Sequence, residues 1–186
     1  MAVTDSALCD FGWEAVDFSL KATSGKTVSL ADVRGENGLL VMFICNHCPF
    51  VKSAIGRIVD DCRVLKTRGI GAVAIMSNDT EAYPADSFEN MIMFAISNKM
   101  PFPYVIDEDQ SVARAYYAQC TPEFFGFNAD LELQYRGRLD EGRSSPPPPS
   151  APRELLRAML AIADTGRGPR EQNASIGCSI KWKRAG

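Results

Sequence analysis

Gly38–Cys45 reads GLLVMFIC, an unbroken apolar run rich in branched and aromatic residues. Such a run predicts a strand covered on both faces, as in a parallel sheet. Directly after it, Val51, Ile55, Ile58, Val59, Cys62 and Leu65 recur at spacings of three and four, and Gly69 follows. That spacing lays one apolar face along a helix, with the glycine as its stop. Ile70–Met76 is a second apolar run, so the segment predicts a βαβ unit with parallel strands and a right-handed crossover.

The pattern continues with a helix from Asp86 to about Lys99, capped by Asp86 or Ser87, with Phe88, Met91, Ile92 and Ala95 inward. Pro101–Asp107 predicts a short strand and Gln110–Ala118 a third helix. Beyond Pro122, the segments EFFGF and LELQYRGRL flank Asn128-Ala129-Asp130, which predicts an antiparallel hairpin at a sheet edge. Ser144–Pro152 is a proline-rich extended connector, and a last helix runs from Pro152 through Asp164, with Leu155, Leu156, Met159, Ile162 and Ala163 buried. Residues 167–186 have little periodicity and are expected to cross the surface as a tail. At the other end, Asp17–Leu20 and Lys26–Leu30 around Ser24-Gly25 predict a small hairpin.

Composition fits one domain spanning residues 1–186, since 46% of the 186 residues are hydrophobic. Charge is nearly balanced, with 20 Lys+Arg against 23 Asp+Glu, and KWKR near the C-terminus is the only short basic run, so a nucleic-acid partner is not expected. The first residues have neither a basic start nor a long apolar stretch. Neither a secretion signal nor a membrane partner is expected, which places the chain in the cytoplasm. There, paired cysteines tend to be catalytic, redox-sensing or metal-bound rather than structural disulfides.

The chemistry concentrates in FICNHCP, where Cys45 and Cys48 bracket Asn46 and His47 at a strand-to-helix junction. Together with CTPEFFGF before the hairpin and DFSLKATSGKTVSLADVRG near the front, this segment resembles the redoxin form of the thioredoxin fold, the AhpC/TSA group. The final GCSIKWK resembles the tail of one group of uncharacterised thioredoxin-family proteins. The resemblance covers nearly the whole chain. It implies an α/β thioredoxin-like fold, with a central mixed sheet, helices on both faces, an N-terminal β-hairpin and a C-terminal tail.

The activity implied is thiol–disulfide exchange without a cofactor or metal, in redox homeostasis. Substrates would be protein or small-molecule disulfides and thiols, with a reducing partner such as a thioredoxin reductase or the glutathione system. A helix N-terminus stabilises a thiolate, so Cys45 is expected to attack and Cys48, one turn in, to resolve the mixed disulfide. His47, if protonated, would favour the thiolate and a potential of roughly −180 to −120 mV, whereas a cytosolic reductant such as thioredoxin lies at about −270 mV. Thr121 and Pro122 match the place of the fold's cis-proline beside the dithiol.

Two departures from the family pattern stand out. The buried aspartate that thioredoxin carries six residues before its first cysteine is replaced by Leu39, leaving His47, Glu36 or Asn78-Asp79 as candidate proton acceptors. The peroxiredoxin pattern of proline and threonine before the thiol is absent, with Gly38 and Met42 at those places ahead of Cys45, so a peroxide-reducing antioxidant is the alternative rather than the first reading. Cys62 falls on the apolar helix face, and Cys9 has no evident role. Cys120 and Cys178 are read first as two unrelated reduced thiols, and as candidates for a second redox pair or for oxidation relayed from Cys45–Cys48. Two further alternatives are a Cys₄ zinc site made by Cys45, Cys48, Cys120 and Cys178, and a redox-inactive adaptor binding a partner through Phe124–Phe127 and the tail.

Overall fold

A computed structural model describes residues 2–184. In chain order it comprises β1 (Val3–Asp5), β2 (Ser19–Ala22), β3 (Thr27–Ser29), α1 (Leu30–Val33), β4 (Gly38–Phe43), α2 (Pro49–Thr67), β5 (Ile70–Met76) and α3 (Phe88–Ser97). There follow β6 (Tyr104–Ile106), α4 (Ser111–Ala115), β7 (Cys120–Thr121), β8 (Glu123–Phe127), β9 (Leu133–Tyr135), α5 (Glu154–Thr165) and β10 (Ile176–Ser179). No helix among the described residues is long and apolar enough to cross a membrane.

The central sheet has seven strands in the order β3-β2-β6-β5-β4-β8-β9. β4 and β5 run parallel, as do β5 and β6, while β8 lies antiparallel to β4. Every residue of β4 is buried because its alternating side chains enter two separate cores. Leu40 and Met42 pack with α2 and α5, while Leu39, Val41 and Phe43 pack with α1, α4 and the Phe125–Phe127 side of β8. The carboxyl end of β4 therefore delivers Cys45 to the edge of the sheet between two apolar layers.

Differences from the sequence-based expectations fall mainly at element ends. The α3 helix starts at Phe88 with Ser87 as its cap, and Asp86 belongs to a preceding 3₁₀ turn (Pro84–Asp86). Only Met91 of α3 is fully buried. The α4 helix is shorter than the expected span because Gln110 and Tyr117 both have positive φ, 63° and 51°, which ends helical geometry on either side.

The tail departs most. Residues 176–179 form β10, which pairs antiparallel with both β1 and β7 in a separate three-stranded sheet. Cys178 and Ile180 are buried, and the backbone of Lys181 is tied to Asn78, Asp79 and Gln110 at the carboxyl edge of the main sheet. At Gly177 a Cβ would collide with the Thr121 carbonyl oxygen, so the close approach of β10 to β7 requires glycine there.

A buried ion pair fixes the turn from β7 into β8. The Glu123 side chain is fully buried and accepts from Arg136 Nη2 at 2.7 Å and Nε at 3.0 Å, and from the Gln119 amide at 2.6 Å. The guanidinium also lies 4.6 Å from the Phe125 ring centroid. Removing one partner leaves a buried charge short of its counter-ion, so Arg136→Met is expected to cost about 3 kcal/mol. Urea unfolding should show a lowered midpoint with an unchanged slope, and a loss below about 1 kcal/mol would mean that the pair behaves like an exposed one.

Candidate active site

The loop between β4 and α2 carries Cys45, Asn46, His47 and Cys48, and α2 begins at Pro49, so Cys48 is the N-cap residue. This shifts one expectation: the first free amides of the helix adjoin Cys48 rather than Cys45. Proline at the first helical position loses nothing, because that amide would lack a partner anyway.

The opposite wall is the Thr121–Pro122 segment, whose peptide bond is cis. Cys48 Sγ donates to the Thr121 carbonyl oxygen at 3.1 Å, and Thr121 Oγ1 lies 3.4 Å from Cys45 Sγ. Both cysteines are buried, Cys45 at 1% exposed, but their neighbours differ. Cys45 borders the part-exposed His47 ring, 3.9 Å from Nδ1, whereas Cys48 faces inward to Thr121 and Cys178.

The thiols titrate as a pair. The hydrogen bond between them is the largest influence on each, pulling Cys48 down to about 5, with the Cys178 thiol and Val51 amide assisting against burial. The same bond, with burial and the nearby Asp86 charge, pushes Cys45 well above the ordinary thiol range. One proton is therefore easily lost and the other is held between the two sulfurs.

Asp86 is the residue that sequence reasoning missed in this role. Its carboxylate is fully buried, and Oδ1 accepts from the Asn46 and His47 amides at 2.8 and 3.2 Å. Oδ2 lies 2.6 Å from His47 Nδ1 and accepts from Asn78 Nδ2 at 2.8 Å. A carboxylate only accepts, so His47 Nδ1 carries the hydrogen and points it at Asp86. The His47 ring stacks on Tyr83 with centroids 5.8 Å apart, and Asn46 Oδ1 accepts from the buried Tyr104 hydroxyl at 2.9 Å. The signal for Asp86 was confined to its place before a helix, where a solvated cap is the ordinary reading.

The other candidates separate clearly. Asn78 holds Asp86 and the tail rather than a thiol, and Asp79 braces the amides of Glu81 and Ala82. Glu36 is exposed beside Gly69, at the end of the sheet remote from the dithiol. Cys62 is buried in the α2 face and its pKa is raised by that burial. Cys9 is half-buried, with burial pushing it up to about 11.

The candidate Cys120–Cys178 disulfide does not fit the strand register. Cys178 stands opposite Thr121, and Cys120 opposite Ser179. Directly paired residues share a face and successive residues alternate, so Cys120 and Cys178 point to opposite faces. Cys120 Sγ accordingly turns to the Pro122 carbonyl at 3.8 Å. Nor do the four cysteines assemble a zinc site. Among the described residues, the ligand atoms near enough to one another for a metal belong to Cys45, His47 and Asp86, all within 4.8 Å, and both oxygens of Asp86 already accept hydrogen bonds.

The Asp86 charge opposes a thiolate at Cys45 and so disfavours the reduced, ionised pair relative to the disulfide. Asp86→Asn keeps an oxygen for the two loop amides and removes the charge. It is expected to move the thiolate ultraviolet titration to lower pH and to raise the reduction potential by on the order of 30 mV, equivalent to about 1.4 kcal/mol. Equilibration with glutathione buffers measures the latter, and an unchanged potential would mean that the charge is screened from the sulfurs.

Comparison with known proteins agrees with this architecture. A protein of unassigned function from Geobacillus kaustophilus has a crystal structure that superposes with a TM-score of 0.92 at 42% identity, covering 100% of this chain and 99% of that one. The thioredoxin domain of a Bacteroides vulgatus thiol-disulfide oxidoreductase shares the fold, with a TM-score of 0.58 at 17% identity over 74% of this chain and 91% of its own. Thiol-disulfide oxidoreductase ResA of Bacillus subtilis is 27% identical over 119 residues, which is 64% of this chain and 62% of that protein. The AhpC/TSA family pattern matches residues 11–136, a span holding the dithiol loop, the cis-proline and the buried Glu123–Arg136 pair. The chain belongs to the AhpC/TSA family and carries its thioredoxin-like fold.

Proposed function

We propose that the protein is a thiol–disulfide oxidoreductase whose working group is the Cys45–Cys48 dithiol. The observation that carries this reading is the juxtaposition of two coupled thiols with the Thr121–Pro122 wall at the carboxyl end of β4. Attack needs a sulfur that a substrate can reach. Cys45, on the side of the part-exposed His47 ring, meets that need better than the inward-facing Cys48. Thiolate charge shared across the pair collects on Cys45 as the remaining proton moves to Cys48, whose sulfur already points at a carbonyl acceptor.

In the forward step Cys45 attacks a substrate disulfide and releases one thiol. Cys48 then attacks Cys45 in the mixed disulfide, the second substrate thiol leaves, and the Cys45–Cys48 disulfide remains. A thioredoxin reductase or the glutathione system would return the pair to the dithiol in a reducing compartment such as the cytoplasm. Reduction of peroxide draws less support, since Met42 and Gly38 stand in β4 where the peroxide-binding threonine and proline would be needed.

Cys48→Ser is expected to accumulate a mixed disulfide between Cys45 and a peptide disulfide substrate, visible as an intact-mass adduct. Cys45→Ser should form no adduct at position 48 with that substrate and lose disulfide reduction to background. An adduct forming on Cys48 in the Cys45→Ser protein as readily as on Cys45 in the other would reverse the assigned roles, and turnover by both variants would remove the dithiol from the mechanism.

A further inference from the structure

We infer that Cys178 is a third redox thiol of this site, one that takes over the disulfide from Cys45 by bonding to Cys48. The inference rests on the dithiol reading above and extends it. Once Cys45 and Cys48 are joined, Cys178 Sγ attacks Cys48 Sγ. The Cys178–Cys48 bond forms, the Cys45–Cys48 bond breaks, and Cys45 leaves with the electron pair. Cys45 takes up the proton that Cys178 gives up. One disulfide is exchanged for another, so no further oxidant or reductant enters.

Register places the attacking sulfur. Cys178 pairs with Thr121 across the β7–β10 ladder, and so projects to the face on which the Thr121 hydroxyl meets Cys45. Cys48 donates to the carbonyl of the same Thr121. Cys45, Cys48 and Cys178 lie in one buried cluster, and Cys48 is among the groups that raise the Cys178 pKa. The close approach of β10 depends on Gly177, which leaves room for the Thr121 carbonyl.

Electrostatics gives the exchange its timing. In the reduced protein burial, the hydrogen bond to Cys48 and the Cys48 charge hold the Cys178 pKa up at about 12, against the Lys181 ammonium that lowers it. Oxidation of Cys45–Cys48 removes both the charge and that hydrogen bond. Two of the three restraints on the Cys178 proton disappear when a disulfide becomes available for attack, while the Lys181 influence stays. The product is an oxidised protein in which Cys45, beside the part-exposed His47 ring, is again a free thiol.

The test maps disulfides in wild-type protein and in Cys45→Ser after equilibration with graded glutathione buffers, acid quenching and alkylation. Circular dichroism confirms that the variant is folded. The variant should yield a Cys48–Cys178 cross-linked peptide. Wild type should yield both Cys45–Cys48 and Cys48–Cys178 linkages, the second always with Cys45 alkylated. If wild type forms Cys45–Cys48 but neither protein links Cys48 to Cys178 in any buffer, the inference is overturned while the dithiol reading stands. A Cys120–Cys178 linkage also overturns it. Absence of Cys45–Cys48 from the wild type would sink the dithiol reading and this inference with it.

Discussion

A carboxylate removed from water has to recover its hydration from fixed donors, and Asp86 recovers it from the backbone and side chains of the dithiol loop. The amides of Asn46 and His47 converge on one oxygen, and the His47 ring and the Asn78 side chain on the other. That single requirement shapes the residues between the two cysteines: it turns their amides inward, orients the imidazole and, through Asn78, connects the loop to the backbone of Lys181. An unpaired carboxylate at this depth would be prohibitively costly, so the conformation of the loop is as firmly specified as any part of the apolar core.

The wall facing the loop is organised by a similar device of its own. Glu123 draws in the amides of Gln119 and Cys120 and is neutralised by Arg136. Two buried acids thus brace the two sides of the gap in which Cys45 and Cys48 lie, one behind the loop and one behind Thr121. Between them the sulfurs meet mostly apolar side chains, a few hydrogen-bonding groups and each other. In such surroundings a proton shared between two thiols is decided by local donors rather than by solvent.

Much of the framework could be read from the chain alone, for reasons visible in particular residues. β4, α2 and β5 announce themselves because their burial is continuous along the sequence: an apolar run, a period of three to four, another apolar run. The CNHC loop is legible because its position between those elements is local. Asp86 and Cys178 could not be assigned in the same way. Asp86 is separated by 39 residues from the His47 ring that it orients, and its neighbours Pro84 and Ser87 give only the marks of a helix start. β10 has no hydrophobic alternation long enough to notice, and its partners are residues 3–5 and 120–121, which nothing nearby in the chain specifies. The candidate Cys120–Cys178 pairing failed on a matter of parity: a shift of one residue in the ladder decides which face a thiol takes.

Gly177 shows how far the demands of this site reach along the chain. The carbonyl that forbids it a side chain is the one that accepts the Cys48 thiol, so even a methyl group there would press on an acceptor of the dithiol. The constraint at position 177 is therefore chemical as much as steric. A side chain at position 177 would displace the hydrogen-bond acceptor of a thiol 129 positions away, so a redesign of this tail for solubility or stability would disturb the surroundings of Cys48 without touching either cysteine of the loop.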